Sequence, residues 1–246
     1  MRVMRDFFRG MHYLWMGFGL IFKPGLKRFV VMPVCVNILL FVGLFFLFRH
    51  VVHEFNLWFN HFLPVWLFWL GAFIWGLFFF SFFLLFVYTF VMLGNILAAP
   101  FNSLLAEKVA YYLTGERPKP SSVFENIKAV PRVIGRQLSI LGYYLSRALL
   151  ILMLFWVPVV QVAAPFLWFL FNAWYMTLTY MDYPAENRQV SLTELRLWLS
   201  QRRAMSLGFG VGVIVISIIP VVNCLLVPVA VAAAVSCWLD ASSGGR

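Results

Sequence analysis

Four stretches of this chain contain no charged side chain at all: residues 29–48, 62–106, 148–181 and 204–239. Nothing constrains its fold more. A helix needs about 20 apolar residues to cross a bilayer core of about 30 Å. Inside that core every backbone polar group must be satisfied within the protein, which restricts the options to helices and closed barrels. The chain is 63% hydrophobic and 11% charged, and its mean hydropathy is +0.89. A soluble domain of 246 residues could not hide that much apolar surface. No stretch has ordinary globular composition for long enough to build a separate soluble core. The expected class is an all-α integral membrane protein with a single membrane domain spanning 1–246.

Residues 2–22 mix Arg2, Arg5, Asp6 and Arg9 with Phe7, Phe8, Trp15 and Phe18. That pattern predicts an amphipathic helix at the membrane interface, with its aromatics dipping inward. Transmembrane helices are predicted at 27–49 and 65–99. The second would be about 50 Å long, so it must tilt or run on into the headgroup zone. Residues 49–64 read as a polar and aromatic loop on the far side. At 98–102 the sequence Ala-Ala-Pro-Phe-Asn predicts a kink or a new helix start. An amphipathic stretch at 103–114 and a loop at 115–122 follow. The runs at 148–181 and 204–239 are broken by Pro158 and Pro165, and by Pro220, Asn223 and Pro228. Each could hold two helices of roughly 13–17 residues, short for a full crossing. Both are therefore read as re-entrant hairpins, against the alternative of short, kinked spanning pairs. Residues 240–246 read as a flexible tail.

The net charge is +10, and the basic residues lie between apolar runs. Anionic lipid headgroups or an anionic substrate suit that placement better than nucleic acid. Of the nineteen Lys and Arg residues, only Arg49 falls on the far side of the two long helices if the hairpins return to the near side. The positive-inside rule makes the near side cytoplasmic. Cys35, Cys224 and Cys237 sit in apolar runs without CxxC spacing and read as buried free thiols. The N-terminus lacks the pattern of a cleaved signal peptide. The pairs LAAPFN (97–102) with VAAPFL (162–167), and PVCVN (33–37) with PVVN (220–223), suggest a weak internal repeat.

Two segments could carry chemistry. The first is Lys23-Pro24-Gly25-Leu26-Lys27-Arg28. Pro24 stops a helix, Gly25 allows positive φ, and a new helix starts near Leu26 or Lys27. Free N–H groups, a helix N-terminus and paired cations make a site for a small oxyanion. Ordinary positive-inside flanking residues are the competing reading. The second segment is 127–147, where Lys128, Arg132 and Arg136 fall on one helix face. Like charges at that spacing repel, so something must answer them: lipid phosphates, a translocating anion, or the carboxylates Glu107, Glu116 and Glu125. The stripe reads either as a snorkelling interfacial helix or as a cationic vestibule. Arg147 continues it toward the uncharged run. Ser191-x-x-Glu194 opens a short amphipathic helix at 190–203 with a capping-box pattern. Asn223, at the expected tip of the last hairpin, hydrogen-bonds exposed backbone or lines a pore; Asn37 is a second polar residue within a span. His50-x-x-His53-Glu54 lacks the arrangement of a metalloprotease, and His61 lies apart. No metal, cofactor or enzymatic activity is expected.

The chain resembles the CysZ family of bacterial inner-membrane sulfate permeases. The likeness covers nearly the whole chain. It rests on PGLKRFVVMPVCVN at 24–37, LAAPFNSLLAEKV at 97–109, the arginine-bearing segment at 128–136, and PVVNCLLVPVAVAAA at 220–234. The resemblance implies sulfate uptake into the cytoplasm to feed cysteine synthesis. It implies two long transmembrane helices with two hemi-penetrating hairpins, and dimers or larger homo-oligomers. The family's sulfate-binding turn, Gly-Leu-Arg followed by another basic residue, maps onto Gly25, Leu26, Lys27 and Arg28. Lys27 departs from that pattern: lysine keeps the charge but loses the planar two-pronged fork. The resemblance also places Glu107, Arg132 and Arg136 near a conducting path, to which the stripe adds Lys128 and the hairpin tip adds Asn223. Two other functions fit the composition. One is a membrane-shaping protein that grips anionic lipid headgroups; the other is an auxiliary subunit of another transporter.

Overall fold

The computed structural model describes residues 2–62, 68–116 and 123–243. The side chains at 2, 34, 60, 62, 68, 69, 92, 95, 96, 123–130, 220, 221, 223, 224 and 243 lie outside that description. Among the described residues the regular structure is all helical: α1 (Arg2–Ile21), α2 (Lys27–Phe62), α3 (Phe68–Thr114), α4 (Val123–Leu154), α5 (Ala164–Asn187), α6 (Leu192–Ser200), α7 (Arg203–Ser217) and α8 (Pro220–Ser243), with a short 3₁₀ turn at Val160–Val162. Among the described residues, four stretches are long and apolar enough to cross a membrane: Lys27–Phe59, Leu70–Val91, Pro131–Leu154 and Leu225–Ser242. The chain is an all-α membrane protein.

Two compact units make up the chain, residues 1–31 with 99–246, and residues 32–98. In the second unit, α2 and α3 pair through phenylalanines. Phe48 stacks on Phe82 at 5.2 Å between ring centroids, and Phe55 stacks on Phe78 at 3.5 Å. Phe41 meets Phe90 edge-on at 5.6 Å. The outward faces stay bare: Leu39, Phe73 and Tyr88 are 72%, 68% and 79% exposed. Helices this apolar with so little protein cover have lipid as their solvent. Cys35 lies on such a face and is exposed, not buried as expected.

In the first unit α8 is the central element. Residues 229–235 are buried throughout, and α1, α5 and α7 pack on it. Over residues 225–235 the helix is apolar all round, as a helix surrounded by others must be. Close approach here depends on glycine. A Cβ on Gly208 of α7 would collide with the Phe7 carbonyl of α1, and one on Gly10 of α1 with the Met205 carbonyl of α7. α1 thus buries Gly10, Tyr13, Leu14, Leu20 and Ile21, while Trp15 is 74% exposed.

Several boundaries differ from the expectation. α2 runs on through 49–62, where a loop was predicted. No helix breaker stands before Pro64, His50 and Glu54 are one turn apart at 3.9 Å, and the Phe55–Phe78 stack holds the segment against α3. α3 continues through Pro100 to Thr114. It ends at Gly115, whose φ of 71° favours glycine. The two apolar runs also hold longer helices than predicted: α7 has 15 residues, but α5 and α8 have 24 each. α8 extends to Ser243, so residues 240–243 of the expected tail are helical. Asp240 is tied to α1 there, by Arg9 at 2.7 Å and by the Tyr13 hydroxyl; residues 244–246 lie outside the described residues. The capping box of α6 forms as expected, with the Glu194 amide donating to Ser191 Oγ at 3.2 Å and the Ser191 amide to Glu194 Oε2 at 2.9 Å. These bonds hold the Glu194 carboxyl below its usual range.

Candidate functional site

The cationic turn forms between α1 and α2. The Lys23 amide donates to the Leu20 carbonyl at 3.0 Å and the Leu26 amide to the Lys23 carbonyl at 3.2 Å. Gly25 takes φ 87°, with open space where a Cβ would stand, so its conformation and not its size requires glycine. Leu26 is buried and pins the turn to the core. Gly25, Lys27 and Arg28 are exposed. Among the described residues, no backbone carbonyl receives the amides of Gly25, Lys27 or Arg28, and no carboxylate pairs with Lys27 or Arg28. The Arg28 guanidinium lies over the Phe29 ring at 4.9 Å, which fixes its direction. Three free donors at a helix start beside two uncompensated cations are suited to a tetrahedral oxyanion.

A second polar site joins α3, α4 and α5. Arg132 and Arg136, one turn apart on α4, face Glu186 and Asp182, one turn apart on α5. Arg132 Nε donates to Glu186 Oε1 at 3.0 Å, and Arg136 Nε donates to Asp182 Oδ1 at 2.7 Å. From α3, Ser103 Oγ donates to Glu186 Oε2 at 3.3 Å, and Asn102 Nδ2 donates to the Tyr183 hydroxyl at 3.3 Å. Ser103 also exchanges bonds with Asn187, at 2.8 and 2.9 Å.

The two rungs are not alike. The Arg132 side chain is 63% exposed, whereas Arg136 is 16% exposed and Asp182 is 2% exposed. Burial pushes the Asp182 carboxyl up to about 6 although Arg136 beside it pulls the other way. Burial likewise pushes the Tyr183 phenol up to about 12. Arg136 Nη2 is buried without a hydrogen-bond partner among the described residues. The ladder therefore holds one donor in reserve at its dry end and one solvated cation at its wet end.

The sequence placed Arg132 and Arg136 on one helix face, but the described carboxylates that answer them are Glu186 and Asp182 rather than Glu107 or Glu116. Glu107 is half-buried on α3 and makes no ion pair with a described residue, and Glu116 is exposed. Glu125 lies outside the described side chains. So do Lys128 and Asn223, although both fall within helices, α4 and α8. The signal for the true partners was the spacing of Asp182 and Glu186, which copies that of Arg132 and Arg136. The histidines of α2 offer little: His50 faces Glu54, and no group of three or more metal-ligating side chains meets among the described residues.

Fold and sites together define a helical membrane protein with an open cationic turn and a partly buried ion-pair ladder. Residues 13–228 match the family described as "Sulfate transporter CysZ/Etoposide-induced protein 2.4". The chain is 42% identical to a protein of Pseudomonas fluorescens named sulfate transporter CysZ, over 94% of this chain and 92% of that one. Proteins of the same name from Pseudomonas syringae pv. tomato and Pectobacterium atrosepticum are 42% and 38% identical, each over 94% of this chain and over 91% and 84% of theirs. This chain belongs to that family. Membership makes it a transporter and not an enzyme.

Proposed function

We propose that this protein carries sulfate across the bacterial cytoplasmic membrane, inward, for cysteine synthesis, as a channel or facilitative carrier. The observation that carries this reading is the turn at 25–28. Its free amides, with Lys27 and Arg28 lacking a carboxylate partner among the described residues, offer what a dianion needs, on a chain whose relatives are named sulfate transporters. The amides of Gly25, Lys27 and Arg28 take the oxygens, Arg28 supplies a charged fork, and Lys27 supplies a point charge. Leu26 serves by anchoring the loop.

Beyond capture, the anion passes a path of alternating cations and carboxylates that includes Glu107, Lys128, Arg132, Arg136 and Asn223. The ladder supports this. A bare row of cations would hold a dianion too tightly to release it, whereas Glu186 and Asp182 temper Arg132 and Arg136. Runs 148–181 and 204–239 are re-entrant hairpins in this reading, and the protein works as a homo-oligomer.

The test is uptake of labelled sulfate into proteoliposomes that hold only this protein, beside an Arg28→Ala variant. Saturable uptake that falls about tenfold in the variant supports both the transport and the capture site. Folded protein with no uptake above empty liposomes overturns the reading.

A further inference from the structure

We propose that Arg147, Arg196 and Tyr143 form a binding site for the phosphate of an anionic membrane lipid. Two guanidinium groups from different helices converge on one ring. Arg147 of α4 lies 4.2 Å from the centroid of Tyr143, one turn earlier on the same helix, and Arg196 of α6 lies 5.0 Å from it. The two cationic carbons, both over one ring, are thus within about 9 Å of each other. Among the described residues neither cation has a carboxylate within ion-pairing distance. The protein answers Arg132 and Arg136 with buried carboxylates but leaves this pair uncompensated. Its like charges repel unless an anion joins them.

The geometry is held, not incidental. Arg147 Nη1 donates to Ser146 Oγ at 2.9 Å, and Tyr143 and Arg196 are half-buried. The phenol ring holds both cations by cation–π contact. Two guanidinium groups brought together from different helices suit a group with several equivalent oxygens, such as a phosphodiester.

The surroundings select a lipid as the source of that phosphate. Arg147 is the last charged residue before the uncharged run 148–181, which puts it at the height of the headgroups. Exposed leucines flank the cations: Leu145 and Leu149 are 57% and 58% exposed beside Arg147, and Leu197 is 60% exposed beside Arg196. Acyl chains cover such residues; a free anion leaves them bare. The assignment is independent of the transport reading and of the turn at 25–28.

The experiment is a titration of the full-length protein in neutral detergent with short-chain phosphatidylglycerol, read by native mass spectrometry. Parallel arms use short-chain phosphatidylcholine, inorganic phosphate and inorganic sulfate as competitors. The expected result is a phosphatidylglycerol adduct that Arg147→Ala/Arg196→Ala weakens about tenfold. Tyr143→Leu, which keeps both charges and removes the ring, is expected to weaken it by a smaller factor. Should the double variant not fold, the replacement Arg147→Gln, at an exposed position, decides by the same titration. Equal adducts in the wild type and the folded variants overturn the proposal. So does phosphatidylcholine binding as tightly as phosphatidylglycerol. Displacement by phosphate or sulfate at matched concentration also overturns it, and marks a free-anion site instead.

Discussion

At the scale of single residues, the Arg136–Asp182 pair is the most consequential interaction in the first unit. A buried ion pair contributes little net stability, yet removing one partner strands the other as an uncompensated charge. Arg136→Met is therefore expected to cost about 3 kcal/mol at pH 8, measured by thermal unfolding in detergent. The loss should shrink toward pH 5. With Arg136 gone, the force that lowers the Asp182 pKa is gone too, so the carboxyl rises further and becomes neutral more readily. The sign in the wild type is the same. The folded carboxyl titrates near 6 and the unfolded one near 3.8, so its contribution is full below the lower value and is lost as pH rises through the higher. A variant cost that does not change with pH would show that Asp182 keeps its charge without Arg136. Little of this was visible in the sequence. The cations were legible from their spacing, whereas their partners lie 46 and 54 residues away and meet them only because α4 and α5 lie side by side.

Among the elements, the connection between α4 and α5 stores local strain. Val159 takes φ 71° and ψ −50°, and the Val160 amide donates across it to the Pro158 carbonyl at 2.9 Å. That is a γ-turn of the rare, strained hand, at a β-branched residue that is 85% exposed. Val159→Gly is expected to raise stability by about 1 kcal/mol, seen as a higher unfolding midpoint. A fall would mean that the exposed side chain contributes more than the strain costs. The sequence marked a break here through Pro158 and Pro165, but not its hand. It read the α6 capping box in full, because Ser191 and Glu194 are three residues apart and need no distant partner. It missed the extension of α2 across 49–62, because the charged and histidine side chains there suggested water. The outcome depended on a phenylalanine stack supplied by α3.

For the whole molecule, membrane topology is the open choice with the sharpest test. Trp156, at the same connection, is 89% exposed and apolar. With Cys35, Cys224 and Cys237 replaced by serine, Trp156→Cys in sealed vesicles is expected to react with a membrane-impermeant maleimide from neither side. Labelling from the side opposite the cationic turn would make α4 and α5 a spanning pair and end the hairpin reading. By itself the sequence determined the class of this protein, its apolar runs and its cationic turn. Each depends on the composition or geometry of a contiguous stretch, and bilayer partitioning, glycine's backbone freedom and helix starts act locally. Only the tertiary structure decided that α8 is buried by other helices while α2 and α3 stay bare. It alone decided which carboxylates answer Arg132 and Arg136, and which cations are left to converge on Tyr143. An apolar helix reads the same whether lipid or protein covers it, and a charge carries no mark of its partner until packing fixes the distance between them.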